Sequence, residues 1–362
     1  MSRVPAALPT ARPRWPFALA AVAGAVVVAV VVARIVRGGA GPVPGGAGVN
    51  GCEAARTYAA CLERAQAGDA QAQLRLAEAY DGGEGVPEDD AAAAEWYRRA
   101  AEQGVPEAQF QLGTLYDAGR GVSQDTGEAL RWYTRAAEQG VPGAQYNLAL
   151  LYLRGSSRQG PDPVAAVSWL RRPADRGFAP AQYNLGVAYQ AGEGVAKDDV
   201  EAARWFRLAA DGGHPVAQYK LGAMHAAGEG VPKDLAEAVR WLSLAARQGN
   251  PEAQNDLALM YDTGDGVPED DAEAVRWYRR AASGGNTSAQ YNLGLMYANG
   301  QGVPRDHARA YLWLSVALSA GGGFDREPRD VVARSLSPAA RADVDRLTTA
   351  CRLSAFKACG EP

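Results

Sequence analysis

Trp277-Tyr278-Arg279-Arg280-Ala281-Ala282, closed by Gly285 and followed by Ala289-Gln290, is the stretch that decides the fold, because the chain repeats it. Tryptophan recurs at 96, 132, 169, 205, 241, 277 and 313, with gaps of 36, 37, 36, 36, 36 and 36 residues, so seven of the eight tryptophans mark one unit. A period of this size belongs to repeat architectures, in which each unit buries its apolar face only by stacking on its neighbours. The periodic block shows no alternation of β-branched residues, so its elements are expected to be helical throughout.

Working outward from Trp277, each unit reads as two helices. The units open at Ala72, Ala108, Ala144, Ala181, Ala217, Ala253 and Ala289, as in Ala181-Gln182-Tyr183-Asn184-Leu185-Gly186. On a 100° wheel the opening Ala, the Leu four on and the Tyr eight on share one arc, which must be the packed face. Gly113, Gly186, Gly222 and Gly294, directly after that Leu, each cost about 1 kcal/mol of helix propensity, and close approach by a neighbour is the expected compensation. The first helix should end at a glycine column: Gly83, Gly119, Gly155, Gly192, Gly228, Gly264 and Gly300.

Asp89, Asp125, Asp198, Asp234, Asp270 and Asp306, each seven residues before a Trp, are placed to cap the second helix. Glu128, Glu201, Glu237 and Glu273 follow three later and suggest capping boxes. Trp and the Ala-Ala pair should point inward. The third unit departs: it has one extra residue, loses the Gly-x-Gly-Val turn, and carries Pro173 where Ala is expected, which should bend or shorten its second helix.

Outside the repeats the chain changes character. Residues 1–15 are basic and proline-rich, with nothing to bury. From Pro16 to Ala33 runs an uncharged Val/Ala-rich stretch, ~27 Å long as a helix and flanked by arginines. It is read as a single transmembrane signal-anchor over 16–36, with the N-terminus cytoplasmic and the rest on the exported side; a cleaved signal peptide is the alternative. A Gly/Pro linker (37–51) follows, then a degenerate half-repeat (52–71) that should cap the array, seven units over 72–324, and capping helices over 325–362, the last opening at Ser337-Pro338.

Taken together, Ala-Gln-Tyr-Asn-Leu-Gly, Tyr-x-x-Gly-x-Gly-Val-Pro-x-Asp and Glu-Ala-x-x-Trp-Tyr-Arg-x-Ala-Ala, recurring in order over 72–324, resemble the Sel1-like repeat family, a relative of the tetratricopeptide repeats. The resemblance implies a right-handed, all-α solenoid that acts as an adaptor or scaffold, in complex assembly or in bacterial cell-envelope signalling and polysaccharide regulation. Some secreted cysteine-rich relatives are linked to penicillin binding, so a cell-wall hydrolase is the alternative. A cytosolic adaptor with the opposite topology is a third reading. The resemblance brings no catalytic residue, and the cysteine-per-repeat pattern of those secreted relatives is missing.

The chemistry of the chain agrees with a binding role. With 37 basic and 41 acidic residues it has no electrostatic footprint for nucleic acid. His214, His225 and His307 lack ligand spacing, so no metal site, cofactor site or catalytic residue is expected. Glu88-Asp89-Asp90 and Glu269-Asp270-Asp271 sit where second helices begin, and capping accounts for them. Four cysteines, Cys52, Cys61, Cys351 and Cys359, lie outside the repeats in two couples. A disulfide within a couple requires the chain to turn back, since eight or nine residues of helix would hold the Cα atoms ~12–13 Å apart. For a protein or peptide partner, the candidate contacts are Tyr146, Asn147, Tyr183, Asn184, Tyr219, Lys220, Tyr291 and Asn292, which point away from the Leu-centred arc. Packing of those tyrosines between units is the competing reading.

Overall fold

A computed structural model describes residues 55–155, 160–321, 323–354, 356 and 359. Among them are seventeen α-helices and no strand. They are α1 (Ala55–Gln66), α2 (Ala70–Gly82), α3 (Asp90–Glu102), α4 (Pro106–Ala118), α5 (Thr126–Glu138), α6 (Pro142–Arg154), α7 (Pro163–Asp175) and α8 (Ala179–Ala191). There follow α9 (Asp199–Asp211), α10 (Pro215–Ala227), α11 (Leu235–Arg247), α12 (Pro251–Thr263), α13 (Asp271–Ser283), α14 (Thr287–Asn299), α15 (His307–Ser319), α16 (Glu327–Arg334) and α17 (Pro338–Leu353). The segments 1–15, 16–36 and 37–51, with the expected membrane span, lie outside the described residues. Among the described residues no helix is long and apolar enough to cross a membrane.

The chain divides into two compact units at Asp198/Asp199, α1–α8 in one and α9–α17 in the other. Within each, second helices pack against their own first helix and against the first helix of the next repeat, as α3 does with α2 and α4, and α11 with α10 and α12. In the second unit α16 and α17 both pack on α15 and close the array, so the apolar core continues into Val332, Ala333, Val344 and Cys351.

Local chemistry sets the helix ends. Asp89, Asp125 and Asp234 each accept from two free amides at the start of α3, α5 and α11. Asp162 caps α7 through one amide, accepting from Ala165 N at 2.9 Å; it stands seven residues before Trp169, so the column includes the irregular third repeat. The expected capping boxes are not completed. The N–H that Glu128 or Glu237 would have to accept from is already donated, from Asp125 to Tyr116 O (3.0 Å) and from Asp234 to His225 O (2.9 Å). Each Glu instead accepts from the indole N–H of Trp132 or Trp241 at 3.0 Å and pairs with the arginine three residues on.

The first glycine after each first helix is left-handed, φ 68–78° at Gly83, Gly119, Gly192, Gly228, Gly264 and Gly300, except that Gly155 of the third repeat has φ 79° with ψ 156°. The second glycine sets how repeats stack. A Cβ on Gly230 would stand 2.0 Å from the Asp199 carbonyl oxygen at the start of the preceding second helix, and Gly121 and Gly302 meet Asp90 and Asp271 in the same way. The third repeat, lacking this turn, has at the equivalent place a cavity of about 20 Å³ lined by Thr126, Leu130, Leu151, Gly160 and Asp162.

The tryptophans face inward, as the repeat pattern requires, but they are not the deepest rung. Trp96, Trp132, Trp205, Trp241, Trp277 and Trp313 are buried, whereas Trp169 is half-buried beneath Arg172. The next residue in each repeat, Tyr97, Tyr133, Leu170, Phe206, Leu242, Tyr278 or Leu314, is 0–1 % exposed. That column fills the space left by the helical glycines: a Cβ on Gly113, Gly222 or Gly294 would fall 2.8, 2.9 or 2.7 Å from Tyr133, Leu242 or Leu314. Pro173 does not shorten α7, which has 13 residues like its counterparts. It lies in the last turn, buried, where its missing N–H removes one bond, and its carbonyl still receives Phe178 N at 3.0 Å.

A buried glutamine column joins the repeats. Gln109, Gln145, Gln218 and Gln254 each donate to the last Ala carbonyl of the preceding second helix (2.9–3.2 Å). The side-chain oxygens of Gln109 and Gln218 accept within their own repeat, from Gln139 at 2.7 Å and Gln248 at 2.8 Å. A buried amide with both ends satisfied adds specificity of register without a desolvation penalty.

Candidate binding face of the first helices

The helix register that buries the opening Ala, the Gln and the Leu puts the two intervening residues on the opposite side of the first helix. All eight candidate residues there, Tyr146, Asn147, Tyr183, Asn184, Tyr219, Lys220, Tyr291 and Asn292, are half-buried. They form ladders between repeats. Asn147 donates to the Tyr133 hydroxyl (3.2 Å), which in turn donates to Thr114 (3.2 Å). Asn184 donates to Tyr146 one repeat back at 3.2 Å, and to Pro180 O at 2.9 Å. The Tyr146 ring meets Phe178 edge-on at 5.5 Å. Tyr291 stacks on Phe324 at 4.7 Å and donates to Asp325 O at 3.3 Å, so residues of the C-terminal cap cover part of the stripe.

Burial pushes the hydroxyls of Tyr146, Tyr183, Tyr219 and Tyr291 above the ordinary phenol range, so all four stay protonated donors at neutral pH. Burial lowers the Lys220 ammonium. In the sixth repeat the same two positions are Asn255 and Asp256, also half-buried, which the Tyr-Asn motif did not pick out because neither matches it. Their place two and three residues after Ala253 was the available signal. The Asp256 carboxylate accepts from Asn255 Nδ2 at 3.0 Å and from the Tyr219 hydroxyl. Burial, and next the charge of Glu252, outweigh those bonds and push Asp256 up to about 6.

A second inter-repeat contact also escaped the motif reading. Arginine two residues after Trp donates to the tyrosine hydroxyl near the end of the next first helix: Arg98 to Tyr116 (2.8 Å), Arg171 to Tyr189 (2.6 Å) and Arg279 to Tyr297 (2.8 Å). In the fifth repeat Arg207 meets His225 Nε2 at 3.0 Å instead. Since guanidinium can only donate, Nε2 accepts and the imidazole proton sits on Nδ1. His214 accepts from Ala217 N at 3.2 Å as the N-cap of α10, and His307 opens α15. Among the described residues no three His, Cys, Asp or Glu side chains converge as metal ligands would.

Cys351 and Cys359 form a disulfide with Cα atoms 4.5 Å apart. The reversal this needs comes after α17: Phe356 takes φ 69° and donates its N–H to Cys351 O at 2.9 Å. Cys61 is disulfide-bonded as well, while Cys52 lies outside the described residues.

Helix pairs of one length, capped by one column of aspartates and stacked through one column of glycines, define an α-solenoid built from a single repeated unit. The chain belongs to the Sel1 repeat family, whose model matches it seven times, at residues 70–105, 106–141, 142–178, 179–214, 215–250, 251–286 and 287–322. Sel1 repeats are in general protein-binding scaffolds. A Sel1 repeat protein from Oxalobacter formigenes is 38% identical over 74% of this chain and 77% of its own, with a TM-score of 0.63. A protective antigen of uropathogenic Escherichia coli strains, with an SLR fold, is 25% identical over 83% of this chain and 88% of its own, with a TM-score of 0.50. No curated protein matches the chain.

Proposed function

We propose that this protein is a non-catalytic scaffold that holds a protein or peptide partner on the outward face of its first helices, and that it works at the bacterial cell envelope. The observation that carries the reading is the repeated presentation of half-buried Tyr-Asn pairs at one register: 146/147, 183/184 and 291/292. Aromatic rings that offer a rigid apolar surface, beside amides that can both donate and accept, suit an extended chain better than a small molecule. The apolar segment 16–36 would anchor the protein, with the repeats on the exported side. Supporting that side is the Cys351–Cys359 disulfide, which suits an oxidising compartment.

Proximity capture from intact cells, followed by mass spectrometry, tests the reading. Replacing Asn147, Asn184 and Asn292 together by Ala should weaken capture while the melting temperature stays within a few degrees. Unfolding of that variant would assign the residues to packing and refute the face as a site. Modification of introduced thiols in the repeats by a membrane-impermeant reagent on intact cells tests the topology; protection from it refutes the exported placement.

A further inference from the structure

At one register of the binding face the first two repeats carry Arg75, which pairs with Glu78 at 2.9 Å, and Gln111, and the third, fourth and seventh carry asparagine. Where Asn147, Asn184 and Asn292 stand elsewhere, the fifth repeat has Lys220 and the sixth has Asp256. Both are half-buried. Lys220 makes no ion pair among the described residues, with Asp256 or with any other group, and burial is all that acts on it. Asp256 is met by two neutral donors, Asn255 Nδ2 at 3.0 Å and the Tyr219 hydroxyl, and by the like charge of Glu252. Taking a charge out of water without a counter-ion works against the fold. Asparagine fills the same place in three other repeats, so the architecture does not require charge there. Two charges of opposite sign, in adjacent repeats, are therefore left without a counter-ion by the fold.

We propose that Lys220 and Asp256 form a dipolar subsite that recognises an extended peptide segment bearing one acidic and one basic side chain two or three residues apart. The spacing is set by the reach of Tyr219, whose hydroxyl bonds Asp256 on the next rung: that separates the rungs by roughly 10 Å, and an extended chain advances ~3.3 Å per residue. The acidic side chain meets Lys220. The basic one meets Asp256, drawn also by exposed Glu252, and Tyr219, next to Lys220 in the chain, reaches Asp256 with its hydroxyl. This rests on the scaffold reading above and adds the chemistry of the partner.

Peptide display against the full chain in detergent tests it, beside the variant Lys220→Asn/Asp256→Asn, which installs the residue of three other repeats. The wild type should enrich peptides with the acidic–basic pair, and the variant should lose that enrichment by roughly tenfold or more while melting at no lower temperature. A charge-swapped variant, Lys220→Asp/Asp256→Lys, should select the pair in reversed order. Selection of the same peptides by the wild type and the Asn variant, or of peptides without the pair, overturns the dipolar subsite and leaves the scaffold reading standing. Absence of any enrichment over bare support overturns both.

Discussion

Replacing Asp256 by Asn should stabilise the repeat domain at pH 8 and leave it unchanged in acid. The folded environment raises this carboxyl from 3.8 to about 6, chiefly through burial, with Glu252 adding repulsion and with Asn255 and Tyr219 offsetting part of it. A group that binds its proton more tightly when folded contributes stability that is complete below its unfolded value and is lost as pH rises through its folded value. For Asp256 that window runs from about pH 4 to about pH 6, and above it the ionised, half-buried carboxylate is a fixed penalty. Roughly two units at about 1.4 kcal/mol each give up to ~3 kcal/mol; partial exposure reduces the expected gain from Asp256→Asn to about 1–2 kcal/mol. Asparagine keeps an oxygen to accept from Tyr219 and matches the residue in three other repeats. Urea unfolding followed by tryptophan fluorescence at pH 4 and pH 8, with the slope held constant, measures the difference. Equal differences at the two pH values, or a variant less stable than wild type at pH 8, would refute the argument that desolvation dominates at this position.

Two further predictions concern the repeat joints. Gly230→Ala should cost ~3 kcal/mol or more and Gly249→Ala about 1–2 kcal/mol, because both have positive φ (67° and 89°) but only Gly230 faces a carbonyl 2.0 Å from the new Cβ, whereas nothing lies within 4 Å at Gly249. Similar losses from the two in chemical denaturation would show that φ alone, and not the stacking contact, governs the column. Glu237→Ala should cost about 1–3 kcal/mol by leaving the buried Trp241 indole N–H without its acceptor, and Glu237→Gln, which can still accept, much less. Equal effects of the two substitutions would mean that the Arg240 ion pair, not the indole bond, is what matters.

Trp and the Ala-Ala pair at period 36, the glycine after each first helix and the aspartate seven residues before each Trp were legible because they act locally: period, caps and turns are set by residues a few positions apart. Other features depend on how a residue is surrounded once the helices pack and were not legible. Glu128 and Glu237 have the spacing of a capping box, yet the aspartate N–H each would need is already donated to a carbonyl of the first helix, which leaves the carboxylate for the indole. Pro173 looks like a helix breaker, but its position in the last turn removes a single bond. At the binding face, sequence picked out the Tyr-Asn pairs by their recurrence and passed over Asn255-Asp256, whose importance lies in being desolvated without a counter-charge.

What the chain determined by itself is the unit: two 13-residue helices, their ends, and their inward and outward faces, all consequences of helical periodicity and capping. Only the tertiary structure decided how the units fit. The residue after Trp lies deeper than Trp, with Tyr133, Leu242 and Leu314 in the room left by Gly113, Gly222 and Gly294, and Gly121, Gly194, Gly230, Gly266 and Gly302 each rest on a carbonyl of the repeat before. Contacts between residues some thirty positions apart have no signature in one unit read alone, since each depends on the distance between two backbones that only stacking fixes.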